Sequence, residues 1–287
     1  MHLYRLAGQN FRFPCSSADL EPFKISAEEM EENMFVSSSF PGNEYLLLIS
    51  RTKGWVGNAQ RGVEVYSIQN GMLLKIEGCS EFFIAPHGES ICRSGLQPDA
   101  LSQLDREALL GPALVLALAM RSTWSLHSSA AMFKTQNIAF VGESGRGKST
   151  LAAYLDSAGW QRVADDILPV TFEETGVQSW PHFPQLKLPP DKQPGLNFPE
   201  QLPLDRICVL ASTDENAEPE LELLPPNQAI QVLLSHTAGT RLFDPKLLEK
   251  HLNFCAQAAE KLPVYRLAYP HRSDALPAVK ELLEKIC

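Results

Sequence analysis

The six cysteines, at 15, 79, 92, 208, 255 and 287, form no Cys-x-x-Cys pair. That spacing excludes a zinc ribbon and a dense disulfide framework, and the thiols read as reduced. No apolar run approaches the roughly 20 residues that a membrane helix needs. The greasiest stretch, Leu109 to Met120, is interrupted by Gly111-Pro112 and reads as a core helix started near Asp105. Met1-His2-Leu3-Tyr4-Arg5 lacks the apolar centre of a secretory signal, so a cytoplasmic location is expected. Basic residues are also in short supply. With 25 Lys+Arg against 34 Asp+Glu, the net charge is −9, which argues against nucleic acid and against an anionic membrane surface as partner. No internal repeat or low-complexity tract occurs, so a solenoid is excluded.

What is present is an ordinary globular composition, 44% hydrophobic over 287 residues, enough for two domains. Residues 1–100 read as a small β-rich domain. Tyr45–Ile49 is expected as a buried run and Val63–Ile68 as an alternating strand. Gln69-Asn70-Gly71-Met72 is a tight-hairpin signal, and Glu81–Ile84 a short strand. Residues 101–287 read as the larger α/β domain, beginning with a helix near Ser102. The self-association state, including a homo-oligomer, is left open by composition.

The densest local signal is Gly142-Glu143-Ser144-Gly145-Arg146-Gly147-Lys148-Ser149, a phosphate-binding-loop pattern. Ile138–Val141 before it predicts a buried strand, and Thr150–Ala158 after it predicts a helix closed by Gly159. Glycines let the backbone curl so that several N–H groups face one anion, and the helix adds its positive end. Lys148 is placed to reach the outer phosphates, and the Ser149 hydroxyl to ligate magnesium. Thr150 follows inside the new helix. Arg146 occupies a variable position of the loop. The pattern predicts binding of a nucleoside polyphosphate with Mg²⁺.

Trp160–Ala164 reads as a strand that delivers Asp165-Asp166. Carboxylates at a strand end beside a phosphate loop are placed to meet an incoming hydroxyl and a metal ion. They point to opposite sides of the strand, so one can serve as base and the other as metal contact. Upstream, Trp124–Phe133 reads as a strand folded back by Lys134–Asn137, which puts His127 at the loop end of that hairpin. Arg241, between two predicted helices, is a further candidate for stabilising charge on a transferring phosphoryl group. The proline-rich segment 178–204 excludes a regular helix or central strand and, with the loop His236–Arg241, is a candidate acceptor rim, with Phe183, Gln185 and Lys187 on the first.

The segments Leu126–Ala130, Phe140–Ser149 and Val163–Asp166 resemble, in order and spacing, the catalytic core of the HPr kinase/phosphorylase superfamily. The closer likeness is to its HPr kinase-related members, which include kinases of lasso-peptide precursors. Trp180–Leu188 and Leu262–Leu267 resemble those relatives more weakly. The resemblance implies a P-loop, HPr kinase-like (PEP carboxykinase-like) α/β core behind the small β-rich domain. It implies an ATP- and Mg²⁺-dependent kinase acting on a serine or threonine of a peptide or small protein. By that likeness Asp165 is the base, Asp166 supports metal and nucleotide geometry, and His127 assists at the transferring phosphate or tunes the base. The Glu-x-Arg-Gly-x-Gly signature of true HPr kinases is missing after Asp166. A small-metabolite kinase and an ATP-binding regulatory module without transfer remain alternatives.

Overall fold

The computed structural model describes residues 2–13, 16–29, 33–37, 46–68, 71–94 and 101–287. The described residues form a mixed α/β structure with two sheets and few helices, divided into two compact units. The first unit holds residues 1–124, 189–191 and 239–250, and the second 125–188, 192–238 and 251–287. Among the described residues no helix is long and apolar enough to cross a membrane.

The first unit is built on β1 (His2–Leu6), β2 (Gln9–Phe13), β3 (Asn33–Ser37), β4 (Leu47–Val56), β5 (Ala59–Ile68), β6 (Gly71–Ile76), β7 (Phe82–Ile84) and β8 (Ser90–Arg93). They form one mixed sheet in the order β1-β2-β3-β8-β7-β6-β5-β4. Tyr4, Leu6, Phe11, Phe82, Ile84 and Ile91 are buried in its core. The expected buried run at 45–49 is corrected here. Leu46, Leu47 and Leu48 are exposed, Leu47 to 71%, at the start of the edge strand β4. Tyr45 and the turn residues Gln69 and Asn70 lie outside the described residues. Ile68 and Gly71 nevertheless face each other at the ends of the antiparallel pair β5–β6.

The predicted core helix is two helices. Ser102 caps α1 (Gln103–Ala108) by accepting the Asp105 N–H at 3.0 Å. At Gly111-Pro112 the backbone leaves helical geometry, and α2 (Leu114–Met120) resumes after a wide turn. Proline there has no N–H to donate, and glycine takes up the distortion. The Asp105 carboxylate accepts both the N–H and the hydroxyl of Ser80, tying α1 to the turn before β7.

The second unit carries β9 (Trp124–Phe133), β10 (Gln136–Val141), α3 (Lys148–Ser157), β11 (Gln161–Ala164), β12 (Ile167–Glu173), β13 (Gly176–Ser179), β14 (Leu202–Pro203), β15 (Arg206–Ser212) and β16 (Glu220–Leu223). After these come α4 (Pro226–His236), α5 (Pro245–Lys261), β17 (Val264–Tyr269) and α6 (Leu276–Glu284). Only the part of α5 beyond Lys250 belongs to this unit, and Trp124 at the start of β9 belongs to the first. The sheet order is β14-β13-β12-β9-β10-β15-β17-β16, with β11 alongside β9. The three strands β10, β15 and β17 are parallel and buried. Ile138, Phe140, Cys208, Leu210 and Leu267 pack with Leu151 and Leu155 of α3 and with Val279 and Leu283 of α6. Each such side chain contributes about 1.5–3 kcal/mol on burial, so this layer anchors the strand that feeds the glycine loop.

Candidate functional site

β10 ends at Val141, and the chain then turns through Gly142–Gly147 into α3. Gly145 and Gly147 have φ of 82° and 83°, a left-handed conformation that suits glycine. Gly147 is the N-cap of α3 and supplies no side-chain cap. The first amides of α3 therefore have neither an intrahelical nor a capping partner, which is the arrangement that receives an anion. Lys148 is only 8% exposed, and its ammonium donates to the carbonyls of Gly142 at 2.8 Å and Glu143 at 3.2 Å. Burial and the neighbouring Lys187 lower its pKa. Glu143, Ser144, Ser149 and Thr150 are exposed. Arg146 is tied to Ser212 Oγ and to Glu143, so it braces the loop from β15.

The antiparallel register Val141↔Ser128 sets His127 of β9 beside the start of this loop. On the other edge of β9 lie β11 and β12, and between them the acidic pair. The Ser128 N–H donates to the Asp166 carbonyl, and the Ser129 hydroxyl is shared between the carbonyl of Asp165 at 3.2 Å and its Oδ1 at 3.4 Å. The two carboxylates diverge. Asp165 is 7% exposed, with Arg162 Nη1 at 3.8 Å, and burial raises its pKa against the opposing pull of Arg162 and the Ser149 and Ser129 hydroxyls. Asp166 is half-buried, with Lys187 Nζ at 2.7 Å and His127 Nδ1 at 3.5 Å. His127 has a lowered pKa, first from burial and then from Lys148, with Asp166 pulling the other way. It is held neutral near pH 7.

A cavity of about 710 Å³ opens over the loop. His127, Gly142, Glu143, Ser144 and Arg146 line it, together with Val209–Ser212 of β15 and Ser235–Thr237 at the end of α4. Neither Asp165 nor Asp166 lines it. They sit behind His127, on the far side of β9 from β10. His236, expected at the start of the acceptor-side loop 236–241, is the last residue of α4 and lines this cavity instead. Burial and Lys148 lower its pKa, so two neutral imidazoles face the loop from different elements. The end of α4 is fixed by the Leu126↔Thr237 bridge and by the Ala238 N–H donating to Ser125 O at 2.7 Å. Beneath it the Thr237 hydroxyl donates to Leu233 O and accepts from His251 Nε2 at 2.9 Å.

No protein-family model matches this sequence, and no curated protein matches it either. Among solved structures, the chain is similar to the Hpr(Ser) kinase/phosphatase from Coxiella burnetii. The two share 14% identity at a TM-score of 0.34, over 56% of this chain and 95% of that one.

Gln185 is the group that positions the acidic pair. Its Oε1 accepts the N–H groups of Asp165 at 3.1 Å, Asp166 at 2.8 Å and Ile167 at 3.3 Å. Its Nε2 donates to Ile167 O at 2.8 Å and Phe183 O at 3.1 Å. Gln193 in turn holds the backbone of Gln185. This corrects the expectation of a rim that includes Phe183 and Gln185. Both are 2% exposed, because the proline-rich segment folds beneath β12 and inserts them inward. Lys187 alone of the three is exposed.

Among the described residues no group of three or more His, Cys, Asp or Glu is placed to hold a metal. Ser149 Oγ lies 3.5 Å from the Asp165 carbonyl, so the serine hydroxyl and the acidic turn share one edge. That donor set suits a magnesium ion, which keeps much of its water shell and takes phosphate oxygens. Arg241 sits in a short 3₁₀ turn of the first unit, exposed, where its carbonyl accepts the Ser50 hydroxyl.

Proposed function

We propose that this chain is a kinase that transfers the γ-phosphoryl group of ATP to a serine or threonine hydroxyl of a peptide or small protein. One observation carries the reading. The uncapped, glycine-rich entry to α3, with Lys148 folded against it, lies beside an acidic turn whose Asp165 is buried and drawn towards its neutral form. Amides of the loop and the Lys148 ammonium would hold the β- and γ-phosphates. Asp165 would accept the proton as the acceptor oxygen bonds to the γ-phosphorus and the bond to the ADP oxygen breaks. A bound Mg²⁺, with Ser149 and Asp166 as its protein contacts, would supply charge neutralisation. His127 would face the transferring group. Positioning and electrostatics supply most of the acceleration in such a reaction. The resemblance noted in the sequence makes a ribosomal precursor peptide, of the lasso class, the acceptor to try first.

A second reading of the base rests on the cavity lining. His127 faces the cavity and Asp166 lies behind its Nδ1, so a His–Asp pair would serve if Asp165 is structural.

The experiment is a thermal melt with magnesium-ATP, followed by transfer from γ-labelled ATP to serine- and threonine-containing peptides. A ligand at about 100 times its Kd stabilises by about 2.7 kcal/mol. Lys148→Ala should remove both the shift and transfer. No shift at millimolar magnesium-ATP overturns the nucleotide assignment. Transfer that survives Asp165→Asn and fails in His127→Asn selects the second reading.

A further inference from the structure

We infer that the groove between α4 and the strands β16 and β17 is the subsite for the adenine nucleoside of the phosphate donor. This deepens the kinase reading and rests on it.

The sides of the sheet decide where the nucleoside goes. In an in-line transfer the attacking and leaving oxygens lie on opposite sides of the phosphorus. The acidic turn, which meets the attacking hydroxyl, is on the β11/β12 side of β9. The leaving ADP must therefore extend the other way, across β10 towards β15 and β17. The cavity over the loop extends to that side, since Val209–Ser212 of β15 are among its lining residues. It runs on through Ser235 and His236, which it shares with a second groove of about 460 Å³. That volume falls within the roughly 300–1,000 Å³ of small-molecule sites.

The walls of the second groove have the chemistry of a base reader. Asn227, Gln231 and Ser235 repeat every four residues along α4, and Gln228, Val232 and His236 form the adjacent row. At 1.5 Å per residue the stripe from Asn227 to His236 is about 13.5 Å long, enough to carry a nucleoside away from the loop. Opposite it are Leu224 and Arg266. Among the described residues none of the three carboxamides is hydrogen-bonded within the protein, so each presents both a donor and an acceptor. That pair matches the N6 donor and N7 acceptor edge of adenine. The guanidinium, the natural partner of guanine, is engaged with Glu222 at 3.5 Å. Val232 and Leu224 supply apolar contact to the base.

Binding of ATP, GTP and inorganic tripolyphosphate, each with magnesium, is measured by calorimetry on the full chain. The proteins are wild type and the surface variant Asn227→Ala/Gln231→Ala. Wild type should bind ATP about tenfold or more tightly than GTP and than tripolyphosphate, and the variant should lose that margin while holding tripolyphosphate within about twofold. Tripolyphosphate binding as tightly as ATP in wild type overturns the subsite, and so does an unchanged ATP affinity in the variant. Both of those outcomes leave the phosphate site standing. Failure of wild type to bind either ATP or tripolyphosphate removes the phosphate site and this inference with it.

Discussion

Replacing Gln185 with alanine removes a side chain that makes five hydrogen bonds to backbone groups around the acidic turn. Three of these are amides sharing one oxygen, and the shortest, from Asp166 at 2.8 Å, is the strongest. Asp165 is enclosed, so its amide would lose its partner without water to replace it. Asp166 and Ile167 are half-buried and recover part of their loss from solvent. A net bond is worth about 0.5–1.5 kcal/mol, and an enclosed orphan costs about 1–3 kcal/mol. The sum points to a destabilisation of about 3 kcal/mol, below the full total because water repays the outer groups. At about 2–4 °C per kcal/mol for a domain of this size, the melting point should fall by about 6–12 °C.

The same change should reach chemistry. A turn displaced by about 1 Å can cost roughly a hundredfold in rate, so kcat should fall much more than ATP affinity. Gln185→Glu is the informative partner. It keeps the accepting oxygen for the three amides but loses both donors and adds a charge beside two carboxylates. Its stability should recover at low pH, where the new carboxyl is protonated and can donate again. The assay is urea unfolding across pH, with kinetics at neutral pH. Gln185→Ala within about 0.5 kcal/mol of wild type would refute the clamp, because that is the range of a surface change.

Three further outcomes are expected. Burial raises the folded pKa of Asp165, so its contribution is largest below the unfolded value and is lost as pH rises through the folded one. Asp165→Asn should therefore match or exceed wild-type stability at pH 7 while transfer falls by about a hundredfold or more, measured by melting and by γ-phosphate transfer. Burial pushes His251 down to about 4, so it is neutral when folded at pH 7 and takes up a proton on unfolding below 6.5. Stability from this group is full above about pH 6.5 and declines as pH falls towards 4, by up to about 3 kcal/mol, and His251→Gln should flatten that decline in urea titrations. At Gly147 the φ is 83°, and a Cβ would stand 3.3 Å from the Tyr269 hydroxyl. Gly147→Ala should cost about 1–2 kcal/mol and abolish the magnesium-ATP melting shift, and adding Tyr269→Phe should relieve the contact without restoring the shift.

Sequence periodicity located the strands and helices near the glycine loop because there local and tertiary signals agree. Apart from His127, Trp124–Phe133 consists of apolar and small residues with no charged side chain, which suits a strand with neighbours on both edges. The hairpin β12–β13 went unread because Ile167–Glu173 follows the acidic pair and contains Pro169, which masks the alternation. Leu46–Leu48 misled because an apolar run reports burial only where another layer covers it, and the run itself does not say whether one does; all three are exposed at the start of β4. Gln185 was visible only as a polar residue in a proline-rich loop. Its partners are backbone amides about twenty residues away, and backbone hydrogen bonds leave no side-chain pattern to read. His236 was read as the start of an acceptor-side loop, because nothing in the sequence shows that α4 runs on to His236 and brings it to the cavity over the glycine loop.

The first half of β9 explains why these scattered pieces converge. Ser125 O receives the Ala238 N–H, and Leu126 bridges Thr237, so the end of α4 is bound there. His127 is on the strand itself. Ser128 pairs with Val141, the last residue before the glycine loop, and its N–H holds the Asp166 carbonyl. Ser129 bonds Asp165. Five consecutive residues thus join the loop strand, the acidic turn and α4. Strand side chains alternate with period two, so a one-residue slip of β9 against β10 would turn His127 to the opposite face and carry Ser129 away from Asp165. The small side chains at 128–131 follow from the same role. The strand has neighbours on both edges and packing on its faces, and bulk there would push the carboxylates away from the loop that they must serve.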